Sequence, residues 1–212
     1  MINWWPFRKK HPWPWYVKLK APSGKSLLEE IEFVVLDMEM SGLDARLDRI
    51  LSIAAVKVKG DHIALSEMFY EEVSQPQTRP EAAAVHELLP FTGKKESEVL
   101  EALARFCGAQ PVIGHFVRLD REFLHEGYKR LGVRWNNTFY DTSALLPRAD
   151  DYYREEAFPP KDAWKLENIC KRYKLPNDEM HHASGDALAT ALLFVHLRKT
   201  LQKRGVQKLK EL

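Results

Sequence analysis

Cysteine is scarce in this chain: Cys107 and Cys170 are the only two among 212 residues. They lack the CxxC spacing of a zinc site, and one distant pair is a poor framework for a disulfide-stapled secreted domain. Free thiols buried in a reducing, cytoplasmic setting fit better. Long apolar runs are also missing. No stretch approaches the roughly 18 residues needed to span a membrane, and the opening "MINWWPFRKKHPWPWY" has no apolar segment of the kind a signal peptide needs. Internal repeats and low-complexity tracts are absent too, which argues against a solenoid. A strong net charge is missing as well, the total being +2.

That small total conceals an uneven distribution. Residues 1–25 carry six Lys/Arg and no acid, and residues 197–212 carry six Lys/Arg and one acid. The stretch between them holds 20 basic and 29 acidic residues, close to −9. An acidic body suits a carboxylate-lined metal site, and basic ends suit a polyanion. With 45% apolar and 29% charged residues, the chain has the composition of an ordinary globular protein, long enough to bury one full core.

Three regions are expected. Residues 1–30 form a basic arm in which Trp4, Trp5, Trp13 and Trp15 alternate with Pro6, Pro12 and Pro14, which excludes a regular helix. Its indoles either pack onto the domain or dock a partner protein or a membrane surface. Residues 31–204 form the domain proper, and 205–212 a basic tail. Within the domain, "EFVVLDME" reads as a central strand buried on both faces. "RILSIAAVKVKG" and "ALSEMFYEEV" fit an antiparallel meander turning at Gly60-Asp61. "ESEVLEALARFCG" and "RLDREFLHEGYKRLG" are helices ending at glycine, "PVIGH" and "FYD" are short strands, and a loop rich in charge, aromatics and proline covers 148–162. "KLENICKRY" and a last helix from about Ala183 to Lys203 complete an α/β pattern: a mixed sheet of five strands flanked by helices.

Five residues in this frame carry chemistry. Asp37 and Glu39 end the central strand and, two apart, leave the same face. Asp120 opens a helix, and His181 and Asp186 straddle the start of the last one. An unpaired carboxylate costs several kcal/mol to bury, so four acids at such positions point to a shared hard divalent cation. Asp44 and Asp48, in the turn after the first pair, read as turn formers.

In order and spacing these segments resemble the motifs of the DnaQ-like (DEDDh) 3′-5′ exonucleases over about residues 30–200. Asp37-x-Glu39 matches the first motif, His115 five residues before Asp120 the second, and His181-x-Ala183-x-x-Asp186 the third. The resemblance implies a ribonuclease H-like fold and two divalent ions, Mg²⁺ or Mn²⁺, clamping the scissile phosphate. By the same resemblance Asp37 bridges both ions, Glu39 and Asp186 complete one site, and Asp120 supports the other. His181, whose ordinary pKa lies near 6.5, would take the proton from the attacking water.

"VHELL" over 85–89 resembles the family segment that contacts the terminal nucleotide, which makes His86 a substrate candidate beside Met40, Leu43, His115 and Phe116. Phe116 stands where the family usually has Asn, so packing against base or sugar replaces a polar contact. "DMEMSGLD" is nearer to oligoribonucleases, while "DTSALLPR", "KLENICKRYKLP" and "HHASGDALATALLF" look like the proofreading branch. The expected partner is a single-stranded or frayed 3′ end of DNA, with nucleoside 5′-monophosphates as product, in a polymerase III epsilon-like proofreading or repair role. The alternatives are an exoribonuclease and a non-catalytic nucleic-acid-binding protein.

Overall fold

A computed structural model describes residues 12–74, 93–154, 159–176 and 182–212. Its centre is β1 (Glu32–Met40), which pairs antiparallel with β2 (Ile50–Lys59) along its length and parallel with β5 (Val112–Gly114). β6 (Phe139–Asp141) continues the parallel side, and β3 (His62–Ile63) and β4 (Phe69–Glu72) both pair with β2 on its outer edge. The continuous apolar run of β1 serves two faces. Phe33 and Val35 pack with Phe194 and Leu197, while Val34, Leu36 and Met38 pack with Leu100, Leu103 and Phe123.

Helices cover each face. α1 (Glu96–Cys107) presents Val99, Leu100, Leu103, Ala104 and Cys107, a stripe of helical period, and stops where Gly108 turns to φ +54°. α2 (Arg118–Arg130) packs beside it, with the Tyr128 hydroxyl donating to the Leu100 carbonyl at 2.9 Å. On the opposite face lie α3 (Thr142–Ala149), α4 (Leu166–Tyr173) and the long α5 (Ala183–Lys203). Small residues let α5 approach the sheet, since Ala183 and Ala187 form a buried cluster with Ala54 of β2.

The structure corrects the expected sheet from five strands to six. "ALSEMFYEEV" does not form one strand: the chain pairs briefly as β3, makes a 3-10 turn at Leu65–Glu67, and re-pairs as β4. It also adds α3, which the sequence pattern left as the approach to a loop.

The described part of the N-terminal segment lies against the domain. Trp13 and Trp15 stack at 5.9 Å, Trp13 meets Tyr128 edge-on, and the Arg105 guanidinium lies 4.4 Å from the Trp15 ring. Leu28 and Leu209, from the two ends of the chain, belong to one core cluster, and Leu27 bridges to Lys208. Trp4 and Trp5 fall outside the described residues. Cys107 and Cys170 are free and buried. Among the described residues, no helix is long and apolar enough to cross a membrane.

Candidate active site

The site begins where the apolar run of β1 ends. Asp37 and Glu39 continue the face of Phe33 and Val35, so they point toward α5. The register sets Asp37 opposite Ala54, the residue against which Ala183 and Ala187 pack. Close packing there delivers Asp186, in the first turn of α5, to the two β1 carboxylates. One oxygen from each of Asp37, Glu39 and Asp186 lies within 4.8 Å of the others, and all three side chains are half-buried.

Burial, reinforced by the charges of Asp120, Asp186 and Glu39, holds the Asp37 carboxyl well above the usual carboxylate range. Asp120 reaches the group from the first turn of α2 and is itself buried. Burial pushes its carboxyl up to about 7; hydrogen bonds from its own and Met38 backbone oppose the shift, and the Asp141 and Glu39 charges add to it. The structure therefore brings three of the four acids named from sequence into one oxygen cluster and sets Asp120 close enough to interact by charge with Asp37 and Glu39. An all-oxygen donor set of this kind fits a hard divalent cation.

The remaining candidates are dispersed. Phe116 and Leu43 are exposed, Met40 is half-buried, and Phe116 lies 4.5 Å from His115 ring to ring. His115, a substrate candidate in the sequence, makes its hydrogen bonds within the fold. Its Nδ1 meets Thr142 Oγ1 at 2.8 Å and its Nε2 meets the Trp164 carbonyl at 2.9 Å. A carbonyl only accepts, so Nε2 carries the proton, and both nitrogens are occupied within the fold. Burial lowers its pKa. His181 and His86 lie outside the described residues. His182 is exposed and precedes α5, its carbonyl accepting the Asp186 amide at 3.0 Å.

Asp141 is a residue that sequence reasoning passed over. Its carboxylate caps α3 through the Ser143 amide at 2.8 Å and also accepts the amides of Phe116 at 3.0 Å and Val117 at 3.1 Å. Phe116 sits at φ +51°, a costly conformation for a residue with a Cβ. Asp141 thus holds the turn that launches α2 and aims Asp120. The signal available in sequence was Asp141-Thr142-Ser143, an N-cap pattern after a strand.

The 41–49 turn beside Glu39 is also internally braced. Asp48 accepts the Asp44 amide at 3.0 Å, and the Ser41 amide donates to the Arg49 carbonyl at 2.9 Å. A Cβ on Gly42 would lie 2.3 Å from the Asp48 carboxylate, so glycine permits this closure.

The chain is similar to known proteins in sequence and in shape. The PolC-type DNA polymerase III of Latilactobacillus sakei is 33% identical over 180 residues, 82% of this chain but only 12% of that protein. The DNA polymerase III subunit epsilon of Aquifex aeolicus is 26% identical over 80% of this chain and 81% of its own length. In shape, E. coli exonuclease I, solved with a dT13 oligonucleotide, superposes with a TM-score of 0.67 over 83% of this chain and 43% of that one, at 18% identity. This chain thus spans about an eighth of the PolC-type relatives it matches. The model of the RNase_T exonuclease family matches residues 34–194, from the second residue of the β1 apolar run to the middle of α5 and across every acid in the cluster. The chain belongs to that family, within the DnaQ-like group of the ribonuclease H-like superfamily.

Proposed function

We propose that this chain is a divalent-metal-dependent 3′-5′ exonuclease that removes nucleoside 5′-monophosphates from the 3′ end of DNA. The observation that carries this reading is the convergence of Asp37, Glu39 and Asp186 within 4.8 Å, with Asp120 buried against them. Asp37, Glu39, Asp120 and Asp186 would hold Mg²⁺ or Mn²⁺, as two ions. When bound, such ions polarise the scissile phosphate and stabilise the attacking and leaving oxygens.

The chain's own groups supply the rest. His181 takes a proton from the attacking water as the new P–O bond forms and the bond to the 3′-oxygen breaks, and that oxygen takes a proton from solvent to leave a shortened strand with a free 3′-hydroxyl. Phe116 and Leu43, both exposed, offer apolar surface for the terminal nucleotide. His115 acts as a positioning residue, since it ties the turn before α2 to Thr142 and Trp164. The polymerase III relatives support DNA as the substrate and a proofreading or repair setting.

The deciding experiment is turnover of a labelled DNA 24-mer, an RNA 24-mer and a diribonucleotide with Mg²⁺ or Mn²⁺. Stepwise release of deoxynucleoside 5′-monophosphates from the DNA is expected. A strong preference for the diribonucleotide would replace this reading with an exoribonuclease, and hydrolysis of none of the three would sink the enzymatic reading.

A further inference from the structure

A cavity of about 630 Å³ lies beside the carboxylate cluster, not within it. Leu43 and Arg46 of the 41–49 turn line it, together with Arg121 and His125 of α2 and Trp135 and Phe139 on the approach to β6. Leu43 belongs to the turn that follows Glu39, and Arg121 directly follows Asp120, so the groove is built on the same two elements that carry these carboxylates. Its volume is that of an ordinary ligand pocket.

The groove holds three carboxylates, Asp44, Glu122 and Glu126, beside its two arginines. Its carboxylates are engaged: Glu122 pairs with Arg118 at 3.1 Å, Glu126 with Lys129 at 3.0 Å, and Asp44 accepts the Arg46 amide at 2.9 Å. Arg121 has no ion pair or side-chain hydrogen bond among the described residues, and Arg46 has only a longer-range attraction to Glu126. The Trp135 indole N–H is buried and has no hydrogen-bond partner among the described residues. Two exposed guanidinium groups without a close ion pair and apolar side chains in one groove suit a ligand that is both anionic and aromatic. A polynucleotide has both properties, and aromatic side chains take bases by stacking.

We propose that this groove holds the single strand upstream of the nucleotide being removed, with Arg46 and Arg121 meeting its phosphates and Leu43 and Trp135 taking its bases. The assignment rests on the exonuclease reading above and adds to it a source of affinity for substrates longer than a dinucleotide. The brace of Asp48 and Arg49 keeps the Arg46 wall of the groove in place without substrate.

The test compares the full chain with R46Q, R121Q and the double variant. Affinity for 5′-fluorescein-labelled dT12 is read by anisotropy in EDTA across a salt series, and kcat and KM are measured on dT12 and dT2. The double variant should bind dT12 at least tenfold more weakly. The slope of log K against log salt should flatten by about 0.7 for each phosphate that is no longer neutralised. The rise in KM should be at least tenfold larger for dT12 than for dT2. Both side chains are exposed, so the thermal midpoint should stay near that of the parent. Unchanged dT12 affinity and salt slope would overturn the groove while leaving the nuclease reading intact. A loss equal for dT2 and dT12 would also overturn it, by moving the arginines into the reaction centre. A parent chain that hydrolyses neither oligonucleotide would instead bring down the exonuclease reading itself.

Discussion

Asp141 and Phe116 are 25 residues apart, yet the carboxylate of one accepts the backbone amide of the other at 3.0 Å, where Phe116 adopts φ +51°. One side chain therefore holds a strained turn, caps a helix and fixes the start of the helix that carries Asp120. Asp141→Ala should lose a cap worth about 1 kcal/mol and release the Phe116 turn as well. A lower thermal midpoint is expected together with a fall in kcat larger than any change in KM, because Asp120 loses its aim. Activity equal to the parent would show that α2 is positioned without this strap.

The repulsion within the cluster gives a second expectation. Asp37→Ala or Asp186→Ala should abolish hydrolysis with Mn²⁺ and, in EDTA, leave the midpoint unchanged or raised, since one of several mutually repelling carboxylates is gone. Substantial turnover in either variant would remove the assigned metal ligands from the mechanism.

Asp120 gives the metal-free protein a pH dependence. Its folded pKa of about 7 lies above the value near 4 of an unfolded aspartate. Between those values the folded chain holds the extra proton, so this group's contribution to stability falls as pH rises from 4 to 7. His115 and His196 act in the opposite sense, since burial lowers their pKa values and the unfolded chain takes up their protons more readily below about 6.5. The measurement is therefore a difference. From pH 5.5 to 7.5 in EDTA, Asp120→Asn should gain midpoint relative to the parent, and saturating Mg²⁺ should narrow the gap by stabilising the parent, with Asp120 ionised, more than the variant. A gap that does not grow with pH contradicts the raised pKa.

Much of this was legible in the chain because it depended on local pattern. Phe33 to Leu36 announced a doubly buried strand, and Asp37 and Glu39 at its end announced carboxylates held against their preference for water. The features that escaped depend on tertiary partners. β3 is two residues of hairpin pairing, too short to leave an alternation. α3 contains Pro147, which reads as a breaker, but it lies near the helix end while Asp141 secures the start. His115 was visible as a histidine near the chemistry, whereas Thr142 and the Trp164 carbonyl, which occupy both its nitrogens, come from 27 and 49 residues away. Arg46 and Arg121 resemble any solvated arginine until the fold sets them around one groove.

The third motif offers a test of register. His181→Ala should slow turnover by about 10²–10⁴-fold, the usual effect of losing a general base. His182 lies exposed at the start of α5 with no side-chain cap, so His182→Ala should change the rate little. The parent's kcat should rise with pH through a value not far from 6.5 as the base loses its proton. Greater sensitivity at His182 would shift the motif by one residue.

The N-terminal segment decides between packing and docking. Tyr16 is buried, its hydroxyl donating to Asn137 at 2.7 Å and accepting the Asn136 amide at 3.0 Å, while Trp13 and Trp15 cover Tyr128 and Arg105. Fully burying one such apolar side chain is worth roughly 1.5–3 kcal/mol. Deleting residues 1–25 removes all three, so a markedly lower midpoint and poorer solubility are expected from newly exposed apolar surface. The same deletion takes away six positive charges, so DNA affinity should also become less salt-dependent if those charges meet phosphate. A truncated chain with the parent's midpoint, solubility and DNA affinity would leave the aromatic segment free of both duties, and would direct attention to a protein partner such as a polymerase subunit, testable by co-purification with and without residues 1–25.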